Sequence, residues 1–130
     1  MGLDNGIELR THKETLRHRS NNIEICYFRK CWGIRDEILG VLGNNHPDYS
    51  LIECGGGTYD LDSKDVQDIK KIIKQFLDED YFDNYADSKI FTYEEYKPIL
   101  KKTYKNLKWL KRYMRFRSKN IKKLWFYDSY

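Results

Sequence analysis

A chain of 130 residues, 40% of them hydrophobic, has the length of one ordinary domain and removes about two-thirds of its unfolded surface from water, enough for a core without staples. Its three cysteines, Cys26, Cys31 and Cys54, are an odd number without paired spacing, which argues against a disulfide framework and against a C-x2-4-C zinc site. Net charge is +4, and the longest apolar runs are short, as in Leu124 to Tyr127, against roughly 20 residues for a membrane span, so no membrane partner is expected.

Asp4-Asn5-Gly6 reads as a turn, and Ile7 to Thr11 alternates apolar and polar residues as a first strand. His12 to Asn22 is polar and basic without period, as in a loop or the tip of a long hairpin. Ile23 to Phe28 alternates again, with Ile23, Ile25 and Tyr27 on one face and Glu24, Cys26 and Phe28 on the other. A helix follows at once: Cys31, Ile34, Ile38 and Leu42 recur at helical spacing, Gly43 is the expected stop, and His46-Pro47 cannot continue it. From Tyr49 to Leu61 two short apolar pieces flank Gly55-Gly56-Gly57, which suits a hairpin or bulge.

Asp62 or Ser63 can cap a second helix, with Asp65 in its first turn and Val66, Ile69, Ile73, Phe76 and Leu77 as its buried stripe. Asp78 to Phe91, acidic and aromatic without period, is expected to be an irregular connection. Thr92 and Glu95 form a T-x-x-E capping box for a third helix reaching about Ser118. Pro98 in its second turn should bend it or split off a short first turn, and Leu100, Thr103, Leu107, Leu110 and Met114 make its inward seam. Ile121 to Tyr130 reads as a final strand buried in the sheet. The order β-β-α-β-α-α-β predicts one α+β domain over residues 1–130, about three helices packed on one face of a mainly antiparallel sheet of about four to five strands.

Two places carry chemistry. Arg29 and Lys30 sit at a strand-to-helix turn, where free backbone N–H groups already make the helix end positive, so the turn is a candidate anion site. Tyr27, Trp32, Gly55, Gly56 and Tyr59 are the expected companions, the aromatic faces stacking a base and the glycines admitting a ligand to the backbone. The second place is the third helix. Residues 1 to 62 carry a charge of −3 and residues 63 to 91 carry −2, whereas residues 92 to 130 carry +9. Lys101, Lys105, Lys108, Arg112, Arg115 and Lys119 repeat at spacings of three and four and predict one basic stripe, with Trp109 and Phe116 beside it as stacking groups.

Met1-Gly2-Leu3-Asp4, Tyr27-x-Arg29-Lys30 with Glu24 before it, Cys54-Gly55 followed by Tyr59, the Thr103, Leu107 and Leu110 helix, and the ending Phe126 to Tyr130 together make the chain resemble a group of small phage and prophage proteins. Members of that group begin MGLD, carry Y-W-R-K and C-G-x-Y-Y segments, and end in an aromatic, serine-rich strand. The resemblance implies a phage-associated origin and a shared fold. This chain departs from it with Phe28 in place of Trp, an expanded glycine run and a more basic third helix.

Binding is therefore expected ahead of catalysis. No carboxylate spacing selects an acid–base pair, His12, His18 and His46 have no evident orienting partner, and a hydrolase stands last among the readings. The first expectation is a phage accessory protein that binds a phosphorylated, nucleotide-type ligand, such as a host defence signal to be sequestered, with no cofactor, no metal and structural thiols. The alternative is nucleic acid or an acidic host protein on the basic helix. With no signal peptide at the start of the chain, the expected compartment is the cytoplasm of a bacterial host.

Overall fold

The computed structural model describes residues 4–12, 21–51, 57–88 and 90–129. Four strands, β1 (Asp4–Thr11), β2 (Asn22–Arg29), β3 (Gly57–Asp60) and β4 (Ile121–Ser129), form one antiparallel sheet in the order β2-β1-β4-β3. The first and last strands of the chain thus lie side by side at its centre. The sheet's inner face is read off the pairing: Leu9 lies between Ile23 and Leu124, Ile7 between Cys26 and Phe126, and Asn5 between Phe28 and Asp128, and all nine side chains are buried. On the outer face Glu8 lies between Glu24 and Trp125, and Arg10 between Asn22 and Lys123. Trp125 is covered by cations rather than by a second layer, with Arg10 5.4 Å and Lys123 5.0 Å from its ring centroid.

Four helices cover the inner face: α1 (Trp32–Asn45), α2 (Ser63–Phe76), α3 (Glu79–Tyr85) and α4 (Tyr93–Phe116). Asp62 caps α2 in a reciprocal box with Asp65, and Thr92 caps α4 in a box with Glu95. The expected stripes are buried along most of their length, while Leu77, just past the end of α2, and Met114 of α4 are only half-buried. Val66, Ile69, Ile73 and Phe76 of α2 are fully buried, as are Leu100, Leu107 and Leu110 of α4, and each such side chain stabilises the fold by about 1.5–3 kcal/mol.

Several expectations need correction. Asp4-Asn5-Gly6 is not a turn but the start of β1, where the Cys26 carbonyl oxygen would lie 2.3 Å from a Cβ on Gly6, so only glycine fits beside β2. The face assignment in β2 fails halfway. Ile7 pairs with Cys26 and Glu8 with Glu24, leaving Ile25 as an extra residue in a bulge. A one-residue slip moves every following side chain to the other face, so Phe28 enters the core and Tyr27 turns outward. α1 runs through Gly43 and stops at Asn45, with His46 as its C-cap ahead of Pro47. The segment expected to be irregular contains α3, a fourth helix, capped by the Asp78 side chain accepting from the Tyr81 amide and anchored by buried Phe82. α4 continues through Pro98 without a break, because a donor lost so near the start of a helix leaves the ladder beyond it intact.

Candidate functional site: a basic groove between α2 and α4

The strand-to-helix junction is closed by protein. Arg29 ends β2 with its side chain exposed, and both its backbone groups are taken by Tyr96 of α4: the amide donates to the hydroxyl, and the hydroxyl donates to the carbonyl, each at 3.0 Å. Lys30 adopts φ 55°, the left-handed conformation that turns the chain into α1. The α1 end is docked against α3. The Gly33 amide donates to the Ala86 carbonyl at 2.7 Å, the Cys31 thiol reaches the same oxygen at 3.4 Å, and a Cβ on Gly33 would lie 1.8 Å from the Tyr85 carbonyl oxygen. An anion at this turn therefore does not find the Gly33 amide free.

The aromatic residues expected around it are also dispersed. Tyr27 lies on the outer face of edge strand β2, its hydroxyl donating to the Asp4 carboxylate at 2.6 Å, a bond that raises its pKa. Tyr59 lies buried on the inner face at the opposite edge, stacked between Tyr49 and Phe126. Trp32 opens α1 with the Arg35 guanidinium 5.7 Å from its ring centroid. Gly55 and Gly56 lie outside the described residues.

Arg35 ties α1 to the sheet. Its Nε and Nη2 hold both oxygens of Asp128 at 2.9–3.0 Å, with the Asp128 side chain wholly buried. Beside them Asn5 is fully buried, and neither its amide nitrogen nor its oxygen has a hydrogen-bond partner.

A second polar constellation joins α1 to α2. His46 Nε2 lies 2.7 Å from Asp65 and 3.5 Å from Asp62, and its ring stacks on Tyr49 at 4.3 Å. Asp65, wholly buried, also accepts from Asn45 and from the Asp62 amide. Its hydrogen bond raises the His46 pKa above the ordinary value. His46 thus has an orienting partner after all, one that sequence spacing concealed because Asp65 lies 19 residues on in another helix. The donor atoms of His46, Asp62 and Asp65 fall within 4.8 Å of one another and have the chemistry to hold a divalent cation. As the hydrogen bonds stand, they form a clasp between a helix end and a helix start. Burial pushes the Cys26 and Cys31 thiols up to about 12, which leaves them protonated at neutral pH. Cys54 lies outside the described residues.

The basic stripe is where the expected residues come together. Lys101, Lys105, Lys108, Arg112 and Arg115 are all exposed on α4, opposite the buried Leu100, Thr103, Leu107 and Leu110 seam. Lys119 does not belong to it, because α4 ends at Phe116 and Lys119 sits in a separate 3-10 turn, Ser118–Asn120. Sequence reasoning missed two members. Lys70 comes from α2, and Lys111 stands beside the stripe on α4. With Lys108, Arg112, Arg115 and Phe116 they line a groove of ≈ 320 Å³. No acidic side chain lines it, and none of its five cations forms an ion pair among the described residues. From Lys97 to Lys123 the chain contains no Asp or Glu at all, and the two carboxylates of α4, Glu94 and Glu95, lie in its first turn. Tyr104 holds two of the cations, with the Lys108 ammonium 5.1 Å and that of Lys70 6.0 Å from its ring centroid.

Fold and surface together define an α+β domain with a four-stranded antiparallel sheet and, on its helical side, a basic groove that no carboxylate lines among the described residues. Compared with protein-family models, with curated proteins and with solved structures, the chain matches none.

Proposed function

We propose that this protein binds a phosphate-bearing polyanion in the groove between α2 and α4 and does not transform it. The observation that carries this reading is the grouping of Lys70, Lys108, Lys111, Arg112 and Arg115 around one groove that no carboxylate lines among the described residues. Like charges about 8 Å apart repel by about 0.5 kcal/mol per pair in water, so five gathered cations are a standing cost that an anionic partner removes. Phosphate oxygens suit a mixed set of lysines and arginines, the arginines offering paired donors and the lysines point charges. Arg29 and Lys30 support the same chemistry less well, since the Gly33 amide beside them is engaged and Tyr27 and Tyr59 lie on opposite faces of the sheet. The resemblance to small phage proteins makes the partner, in this reading, one met inside a bacterial host.

Inorganic polyphosphate, an anion without bases or rings, is the direct probe. Wild type is expected to bind it at about 50 mM salt, where phosphate contacts are strongest. The triple variant Lys108→Glu, Arg112→Glu, Arg115→Glu is expected to keep its circular dichroism spectrum, because all three side chains are exposed, and to lose binding. Absence of binding by wild type, or undiminished binding by the folded triple variant, overturns the proposal.

A further inference from the structure

The groove holds one residue that a phosphate polymer has no use for. Phe116, the last residue of α4, is 65% exposed, the most exposed large hydrophobic side chain among the described residues, and it lines the groove together with the five cations. An isolated exposed apolar side chain on a protein surface is ordinary; this one is placed inside a charged binding surface. The Arg115 guanidinium lies 5.3 Å from its ring centroid, so a cation that reaches a phosphate is held against a ring that can take a base. Half-buried Tyr104 sits beneath Lys70 and Lys108 as a second ring in contact with the same cations.

We infer that the partner is a single-stranded nucleic acid, gripped at its phosphates by Lys70, Lys108, Lys111, Arg112 and Arg115 and stacked through one base on Phe116. This inference rests on the groove being an anion site, as proposed above, and names what that anion is. A duplex keeps its base faces inside its own stack and presents only phosphate and groove edges. A single strand presents unstacked bases beside its phosphates, and the pairing of cations with an aromatic platform is the arrangement that uses both. Stacking on an aromatic side chain contributes without reading sequence, because every base has a π-face, so the expected binding is tolerant of sequence. The groove engages the base through Phe116 and offers no acceptor-rich wall of side-chain amides or carboxylates to read its edge.

The test uses the whole chain, fluorescence anisotropy and four probes: an oligothymidylate and an oligouridylate of about 15 nucleotides, a DNA duplex of equal length, and polyphosphate. Single strands are expected to bind at least tenfold more tightly than the duplex, and the tighter of the two names DNA or RNA as the source. Phe116→Ala is expected to weaken single-strand binding about tenfold while leaving polyphosphate binding unchanged, and Phe116→Trp is expected to restore it. Equal or tighter duplex binding, or wild-type single-strand affinity in Phe116→Ala, overturns the single-strand inference while the groove survives if polyphosphate still binds. Failure of polyphosphate and of all three nucleic acids to bind removes both.

Discussion

Replacing Arg35 with Met tests how α1 is fastened to the sheet. Arg35 shares its single Nε hydrogen between the two carboxylate oxygens of Asp128 and sets Nη2 2.9 Å from one of them, and the Asp128 side chain is wholly buried and takes no other hydrogen bond among the described residues. Arg35→Met removes every one of them and strands a carboxylate in the core beside the unpartnered Asn5 amide. Breaking a buried pair from one side costs about 3–5 kcal/mol, a large part of the 5–15 kcal/mol or so that holds a typical domain folded. With a urea slope near 2 kcal/mol per molar, that loss moves the unfolding midpoint down by about 2 M. Asp128→Asn is expected to cost less, about 1–3 kcal/mol, because Arg35 keeps Asp36 at 3.1 Å and an amide oxygen still accepts from it. The double variant Arg35→Met, Asp128→Leu removes both charges and is expected to recover most of the loss, since two apolar side chains replace two desolvated ions. Urea denaturation of wild type and the three variants measures these losses. A loss under 1 kcal/mol for Arg35→Met, or a double variant no more stable than that single one, refutes the reasoning.

Other outcomes follow from the same geometry. Tyr96→Phe orphans the amide and carbonyl of Arg29 together and is expected to lower stability by about 1–3 kcal/mol, whereas Tyr27→Phe, which removes an exposed bond, should change it by less than about 0.5 kcal/mol; equal effects in denaturation would contradict the burial argument. Because Asp65 raises the folded-state pKa of His46, the clasp stabilises fully below the unfolded value near 6.5 and loses that contribution as pH rises through the folded value. The stability advantage of wild type over His46→Gln should therefore shrink with rising pH in thermal melts, and an advantage that is constant or grows counts against it. Cys26 and Cys31, with thiols near 12, should resist iodoacetamide at pH 8 in the native protein and react on unfolding, as read by peptide mass mapping; native labelling of Cys31 at the rate of a free thiol contradicts this.

What could be read in the sequence was local and periodic. α2 announces itself through a cap at Asp62 or Ser63 with Asp65 in its first turn, α4 through the Thr92–Glu95 capping box, and both through stripes at helical spacing; the aromatic end of the chain from Ile121 announces the final strand. α3 escaped because seven residues give no periodicity to count, and it stands by docking Phe82 against Phe76 and Tyr96. The bulge at Ile25 escaped because alternation continues through the letters while the pairing slips by one. The basic site was half legible. Lys108, Arg112 and Arg115 follow from spacing along one helix, but Lys111 stands outside that spacing, Lys70 arrives from α2 by tertiary packing, and Lys119 was included only because a spacing rule does not know that the helix has ended at Phe116. At Arg29 and Lys30 the sequence placed two cations at a helix start, and could not show that α3 folds back to occupy the Gly33 amide.

The salt dependence of oligonucleotide binding tests the groove most directly. Each phosphate neutralised on a single strand contributes a slope of about −0.7 to log K against log salt, so five contacts give about −3.5 and a loss of affinity of about a hundredfold between 50 and 200 mM salt. Lys70, Lys108, Lys111, Arg112 and Arg115 supply those five. Changing Lys108 and Arg112 to Gln is expected to flatten the slope by about 1.4. A wild-type slope shallower than about −1, or one that the double variant leaves unchanged, contradicts the assignment of phosphate binding to this groove.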